Sequence, residues 1–400
     1  MPSTVPMLTY DPLDPATLAD PYLHLAALRE TTPVFWHEGM RSWALTRYAD
    51  CVAVLRDHTR FARDRRRAGG EVPEPSLSVQ SLDPPQQAPV RSLFMNALRA
   101  QDLDAIEVRA RKLLAARFDQ LSGRAEFDVM AEVAAPLSVA VISDLLGVDE
   151  PDHGSFAQVS DAIMRSMDGG FDPSVVEPGR IARQELSTLV ESWFLTSGRP
   201  GLLSHVRDHA RHASDAGLDR FVRNTARVMF QGGYSTMVAA IGNAVHSLLQ
   251  NPHALQRMRD QDLLRSGVDE LIRYDGPVQG TSRIATETCQ IGGVTVTAGE
   301  TVTVLFAAAN HDPAQFPDPG RLLLDRSPNR HLGYGWGTHA CIGTVPAQMA
   351  LRALVSSLVE HAAPLKAVAE PQRRRTATMR AFDVLPAAFH PEKGVHRCGS

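Results

Sequence analysis

Cys341 closes the stretch His331-Leu-Gly-Tyr-Gly-Trp-Gly-Thr-His-Ala-Cys-Ile-Gly343, a glycine-dense loop that runs into a helix start at Thr344-Val-Pro346. Thr344 can cap that helix and Pro346 suits its first turn. The positive end of the helix dipole then falls beside the sulfur and favours its ionised form. A thiolate with room around it is a metal ligand, and Gly333, Gly335, Gly337 and Gly343 leave backbone bare where a flat, bulky group could lie. The same residues also admit an inert buried thiol. Zinc fits poorly, because no second Cys/His pair accompanies His339 and Cys341. A phosphate loop lacks its Lys-Ser/Thr and its leading strand.

Tyr334, Gly335, Gly337, His339, Cys341 and Gly343 occupy, in order, the positions of the haem-loop signature of the cytochrome P450 family, which the chain resembles over about residues 10 to 390. The signature's aromatic is usually Phe, so Tyr334 departs mildly. The resemblance implies one domain over residues 1–400, mainly α with small β-sheets (α+β), and a long helix over haem b. It makes Cys341 the axial iron ligand and His339 a propionate contact. Arg283 and Arg91 stand where the family places further propionate partners, and a buried dianionic macrocycle needs such cations. Gln87 replaces a residue that is commonly His, which weakens one expected contact.

Glu270 and Arg273 lie three apart in Ser266-Gly-Val-Asp-Glu-Leu-Ile-Arg-Tyr-Asp-Gly-Pro277, so they share a face of a helix that a Gly-Pro pair ends. Alone this is an ordinary surface ion pair. The resemblance makes it two-thirds of a buried triad, completed by an arginine of the meander Asn310-His-Asp-Pro-Ala-Gln-Phe-Pro-Asp-Pro-Gly-Arg321. Arg321 is the expected third member.

Residues 218–250 read as one helix of about 32 residues, roughly 48 Å long. Its middle holds Gln231-Gly-Gly-Tyr-Ser-Thr236, and each of the adjacent glycines costs a helix about 1 kcal/mol relative to alanine. Close packing of another helix would compensate. In the family this segment crosses the oxygen-binding side of the haem, so Thr236 is the oxygen-side alcohol and Ser235 stands where an acid is usual. Reductive cleavage of dioxygen consumes two protons, and serine relays a proton without acting as an acid near neutral pH. Protons then come by water or from the substrate, or the reaction ends in coupling or ring closure.

The resemblance implies a monooxygenase supplied with electrons by a ferredoxin and its reductase, since the chain carries no flavin or nicotinamide domain. A peroxide-driven enzyme and a non-catalytic haem-thiolate sensor are the alternatives. Substrate contacts are expected from Gln80, Met229, Gly232, Gly233, Val278, Gln279 and Phe382, with Gln231 and Arg380 nearby. This mixed lining suits a medium-sized natural-product intermediate with polar groups, a small molecule or small peptide.

The elements that must position these residues are legible in part. Val34-Phe-Trp-His and Trp43-Ala-Leu-Thr read as paired strands around Gly39, between helices at 22–30 and 48–55. Residues 63–85, with Arg63-Asp-Arg-Arg-Arg67 and Gly69-Gly70, read as a long loop bearing a solvated arginine face. Residues 86–275 are helical throughout, broken near 148–154, 168–179 and 197–201. Val294-Thr-Val-Thr and Thr301-Val-Thr-Val-Leu305 read as a hairpin turning at Ala298-Gly299.

With 400 residues and 44% apolar content the chain can bury a large core. A net charge of −4 excludes a typical nucleic-acid binder. Cys51, Cys289, Cys341 and Cys398 form no disulfide framework, and no run of about 18 apolar residues exists. A monomer in the reducing cytoplasm, off the membrane, is expected.

Overall fold

The computed structural model describes residues 10–196, 198–210 and 216–390. Cys398 and the first nine residues lie outside the described residues. Helices dominate, and one of 35 residues, Ala216–Gln250, runs through the centre. At about 1.5 Å per residue it spans roughly 52 Å. The largest apolar core gathers around it, drawing Leu114 and Phe118 from Leu103–Leu121, Leu137 and Ile142 from Ala135–Leu146, and Leu351 and Leu354 from Thr344–Glu360. No helix among the described residues is long and apolar enough to cross a membrane.

Two helices lie across the amino-terminal half of this central helix. His153–Arg165 and Val176–Thr196 are held to it by aromatic contacts, with Phe156 to Tyr234 at 4.7 Å and Trp193 to Phe230 at 4.6 Å between ring centroids. The turn joining them is pinned to the carboxy-terminal region: Asp168 accepts from the backbone N–H groups of Ala377 and Thr378 and from the Thr378 hydroxyl.

Five strands form the main sheet, in the spatial order Val34–His37, Ser42–Leu45, Thr301–Leu305, Gly280–Ala285, Phe61–Ala62. The first pair is the expected hairpin, Val34 opposite Leu45. The second expected hairpin is not formed. Thr301–Leu305 pairs with Gly280–Ala285 and, in parallel, with Ser42–Leu45, while Val294–Val296 pairs with Cys289–Ile291. The turn is Gly292-Gly293, both at positive φ (56° and 85°), which only glycine adopts freely and which matches the twist of a tight hairpin.

The 63–85 segment is more ordered than a solvated loop. Arg63 turns inward, its Nη1 donating to Thr281 Oγ1 and the Ser282 carbonyl, while Arg66 pairs with Asp64 and Arg67 holds the His58 carbonyl. Arg63 thus ties the run to the sheet, while Arg65, Arg66 and Arg67 keep the exposed face expected of them.

Candidate active site

The cysteine loop hangs between two helices. A Cβ on Gly333 would lie 2.4 Å from Ile272 Cγ2, on the helix Gln261–Asp275, and one on Gly337 would lie 2.4 Å from the Leu55 carbonyl, at the end of Tyr48–Arg56. Gly335 and Gly337 also sit at φ of 68° and 71°. Packing on protein accounts for Gly333 and Gly337, whereas a Cβ on Gly335 would meet nothing nearer than 3.5 Å and one on Gly343 only Cys341 Sγ at 3.8 Å. The Cys341 N–H donates to the Tyr334 carbonyl at 2.8 Å, which folds the loop back on itself.

Gly343, not Thr344, takes the cap position of the helix Thr344–Glu360. Thr344 is its first residue and donates its hydroxyl to the Cys341 carbonyl. Burial pushes the Cys341 thiol up, against the lowering influence of the Gly343 N–H, the Thr344 hydroxyl and the Arg91 guanidinium. The helix end alone does not ionise the sulfur; a bound cation would. Yet Cys341 is exposed, so its desolvated thiol has open space before it.

Asp83, which the sequence reading passed over, organises the neighbouring wall. Its Oδ2 accepts from the N–H groups of Arg63 and Asp64 at 2.9 Å, and its Oδ1 takes His339 Nε2 at 2.8 Å. Burial raises the Asp83 carboxyl, but His339 and the two amides outweigh it and hold it low. Gln87 spans to the other ring nitrogen, its Nε2 3.0 Å from His339 Nδ1, and also donates to the Val79 carbonyl. Both nitrogens of His339 are thus held by protein. Arg91 holds the Ala340 carbonyl at 2.8 Å.

Arg283 is buried at 5% exposure, and its Nη1 reaches only Thr281 Oγ1 and the Ser282 carbonyl. Burial and the neighbouring Arg63 pull it down to about 9. Among the described residues neither Arg283 nor Arg63 has a carboxylate in ion-pair range. Two desolvated guanidiniums side by side call for an anion.

The glycines of the central helix have opposite causes. A Cβ on Gly233 would meet Ile142 Cδ1 at 2.5 Å, whereas one on Gly232 would meet nothing within 4 Å. Gly233 is a packing position, a correction to its expected place in a substrate pocket; Gly232 opens onto space. Helical period puts Thr225, Met229, Gly232 and Thr236 on one face. Thr236 donates to the Gly232 carbonyl and Ser235 to the Gln231 carbonyl at 2.8 Å, so each hydroxyl proton stays within the helix and each oxygen keeps a free lone pair.

Glu270 is fully buried, and Arg273 bridges both its oxygens at 2.8 Å. The third member is Arg326, whose Nε lies 3.1 Å from each oxygen. Arg321, the expected one, is 72% exposed beside Asp318 and contributes only its carbonyl. The Leu323 N–H and Asn329 Nδ2 complete the shell.

Other expected pocket residues scatter. Phe382 is fully buried behind Gly242, under the Arg373 guanidinium at 3.7 Å, so it is core and not pocket. Arg380 is engaged with Asp275 and the Leu18 and Ala19 carbonyls. Gln279 lines a separate, shallow surface pocket with Tyr10, Leu18 and Arg374. Gln80 is exposed and its carbonyl holds Arg63. Val278 bridges to Met379 and packs with Met164 and Ala239. Gln231 is buried, its Nε2 on Ser160 and its Oε1 without a partner.

The family model for cytochrome P450 matches residues 209–365. Over 369 residues, 89% of this chain and 87% of the relative, the sequence is 31% identical to cytochrome P450 monooxygenase PikC of Streptomyces venezuelae. The chain belongs to the cytochrome P450 family. A second P450 relative, 6-deoxyerythronolide B hydroxylase of Saccharopolyspora erythraea, is 30% identical over 96% of this chain and 98% of its own. The solved structure of CalO2 superposes with a TM-score of 0.85 at 27% identity, covering 96% of this chain and all of that one.

The protein is thus a P450 monooxygenase whose cofactor is haem b. The residues fit that group: an accessible thiol inside dense protein, a bare position at Gly232, and at Arg63 and Arg283 guanidiniums that form no ion pair among the described residues. Arg63 and Arg326 were missed in the sequence because their types are common; Asp83 carried a signal, the Asp-Pro-Pro before the Gln87–Arg99 helix.

Proposed function

We propose that this P450 hydroxylates, or closes a ring in, a medium-sized natural-product intermediate bearing polar groups. Cys341 is assigned as the axial ligand, and Arg283, Arg63 and Arg91 as the cations facing the propionates. When bound, haem supplies thiolate-supported activation of dioxygen. Thr236 and Ser235 then act through their hydroxyl oxygens, accepting and passing protons. Neither is an acid, so the proton source is water or a group of the substrate. Gly232 leaves the space that substrate and oxygen share, and the aromatic clasp of Phe156, Tyr234, Phe230 and Trp193 fixes the helices above it.

The observation that carries this reading is the pairing of an accessible Cys341 thiol with the buried Arg283 and its neighbour Arg63, neither of which forms an ion pair among the described residues. Natural-product substrates are supported by the relatives, among them mycinamicin IV hydroxylase/epoxidase of Micromonospora griseorubida. Electrons are assigned to an external ferredoxin and its reductase, in the cytosol. The test is a substrate screen on haem-loaded protein by Soret shift, followed by turnover. Consumption of a shifting compound with ferredoxin, reductant and oxygen supports the assignment. Turnover with peroxide alone replaces it with a peroxygenase, and binding without turnover under either condition removes the proposed reaction.

A further inference from the structure

Tyr334 brings a hydroxyl to the aromatic position of the haem-loop signature, where phenylalanine is usual. Its oxygen is buried and has no hydrogen-bond partner among the described residues. A phenol in that state loses its hydration without recovering a bond, so phenylalanine would be the more stable choice here. A chemical role for the hydroxyl offsets that cost. The ring belongs to the loop that carries the sulfur: the Cys341 N–H donates to the Tyr334 carbonyl at 2.8 Å.

A proton acceptor stands beside the ring. Tyr334 packs against His331 with 5.6 Å between ring centroids, and His331 Nε2 lies 3.5 Å from Asp269 Oδ1. His331 Nδ1 accepts from the Gly333 N–H, so the ring proton sits on Nε2 and faces the carboxylate. Gln348 Nε2 donates to the same Asp269 oxygen at 2.7 Å. Burial raises the Asp269 carboxyl, but His331 and Gln348 outweigh it and hold it low, so it is ionised near neutrality. Its side chain is 34% exposed, so a proton placed there reaches solvent. Burial pushes the Tyr334 phenol up, and among the charges acting on it that of Asp269 is the strongest, ahead of Cys341. The phenol is therefore neutral, and oxidising it requires that its proton leave.

The P450 reaction supplies the oxidant. A thiolate-ligated haem driven by oxygen or peroxide holds oxidising equivalents, and with Ser235 in place of an acid their use on substrate depends on protons from water or from the substrate itself. We propose that Tyr334 is a redox-active residue that discharges the haem when no substrate takes up its oxidising power. One electron passes from the Tyr334 ring to the oxidised haem, the O–H bond breaks, its proton goes to Asp269, and a neutral tyrosyl radical remains. One electron from the external donor and the proton from Asp269 restore the phenol. This rests on the haem assignment and adds a second reaction to it.

The test freezes ferric, haem-loaded protein shortly after mixing with hydrogen peroxide, without substrate, and records its electron paramagnetic resonance spectrum. Wild type is expected to give a radical signal that narrows when the protein is grown with ring-deuterated tyrosine. Tyr334→Phe, which removes only the unpartnered hydroxyl, loses that signal, and its Soret band bleaches severalfold faster under peroxide. Asp269→Asn keeps an acceptor for Gln348 but cannot take the proton, and the signal weakens. A tyrosyl signal of equal strength in Tyr334→Phe, or none in wild type, overturns the proposal, as does equal bleaching of the two proteins. A signal unchanged in Asp269→Asn overturns the assignment of the proton acceptor. Reduced wild-type protein without the carbon monoxide band of thiolate ligation would count against the haem site instead.

Discussion

Arg326 Nε lies 3.1 Å from both carboxylate oxygens of Glu270, so a residue of the meander closes the charge cluster that Arg273 begins four residues before the helix-ending Pro277. Arg273 also holds the carbonyls of Asn310, Pro319 and Arg321. The cluster therefore ties the meander to the helix beneath the cysteine loop. Arg326→Ala or Glu270→Ala leaves buried charge uncompensated and costs about 3–5 kcal/mol, and the purified protein should lose haem. Arg321→Ala should keep both stability and haem. Haem-to-protein ratio and thermal melting check this, and equal effects at 321 and 326 contradict it.

Gly232 and Gly233 should part company on substitution to alanine. At Gly233 the new methyl meets Ile142, an overpacking cost of about 1–3 kcal/mol, visible as a lower Tm. At Gly232 helix propensity improves by about 1 kcal/mol with nothing to hit, so Tm holds or rises. The Gly232→Ala methyl instead occupies space at the iron side, and type-II ligands should bind more weakly. Matching Tm losses at the two positions would remove the distinction.

Ser235→Asp restores an acid one residue before Thr236. Product formed per reductant consumed should rise severalfold, because a carboxylate delivers protons that a serine only relays. Unchanged coupling and product profile would show that the native route bypasses this position.

Asp275 is held well below the ordinary carboxylate range: burial raises it, but Arg380, Arg373 and the Tyr22 hydroxyl outweigh that. Its folded value lies below its unfolded one, so its contribution is complete above the unfolded value, near 4, and fades only as pH falls towards the folded value. Asp275→Asn should destabilise by about 3 kcal/mol near neutrality. The Tm gap to wild type should stay constant from pH 7 to about 5 and narrow below about 4. A gap that widens on acidification contradicts the assignment.

Much of this was legible in the sequence where residues act through local spacing. The Cys341 loop, the Glu270–Arg273 pair, the long helix and the Val34–His37 hairpin all follow from periodicity and turn chemistry. Long-range choices were not. Which arginine of the meander meets Glu270 depends on how a segment rich in proline and turns folds, and the motif alone does not separate Arg321 from Arg326. The strand Thr301–Leu305 has the alternation of a hairpin arm, but its partners lie far away in sequence. Phe382 was read as pocket lining because its turn borders the site, while strand alternation turns it to the core. The Gly292-Gly293 turn was readable from the dipeptide and was overlooked in favour of Ala298-Gly299.

The central claim is that Cys341 is the thiolate on iron. Reduced, haem-loaded protein exposed to carbon monoxide should give the strongly red-shifted Soret band of thiolate ligation, and Cys341→His should bind haem yet lose that band. Wild-type protein that shows only the unshifted band of a histidine-ligated or ligand-free haem would contradict the account.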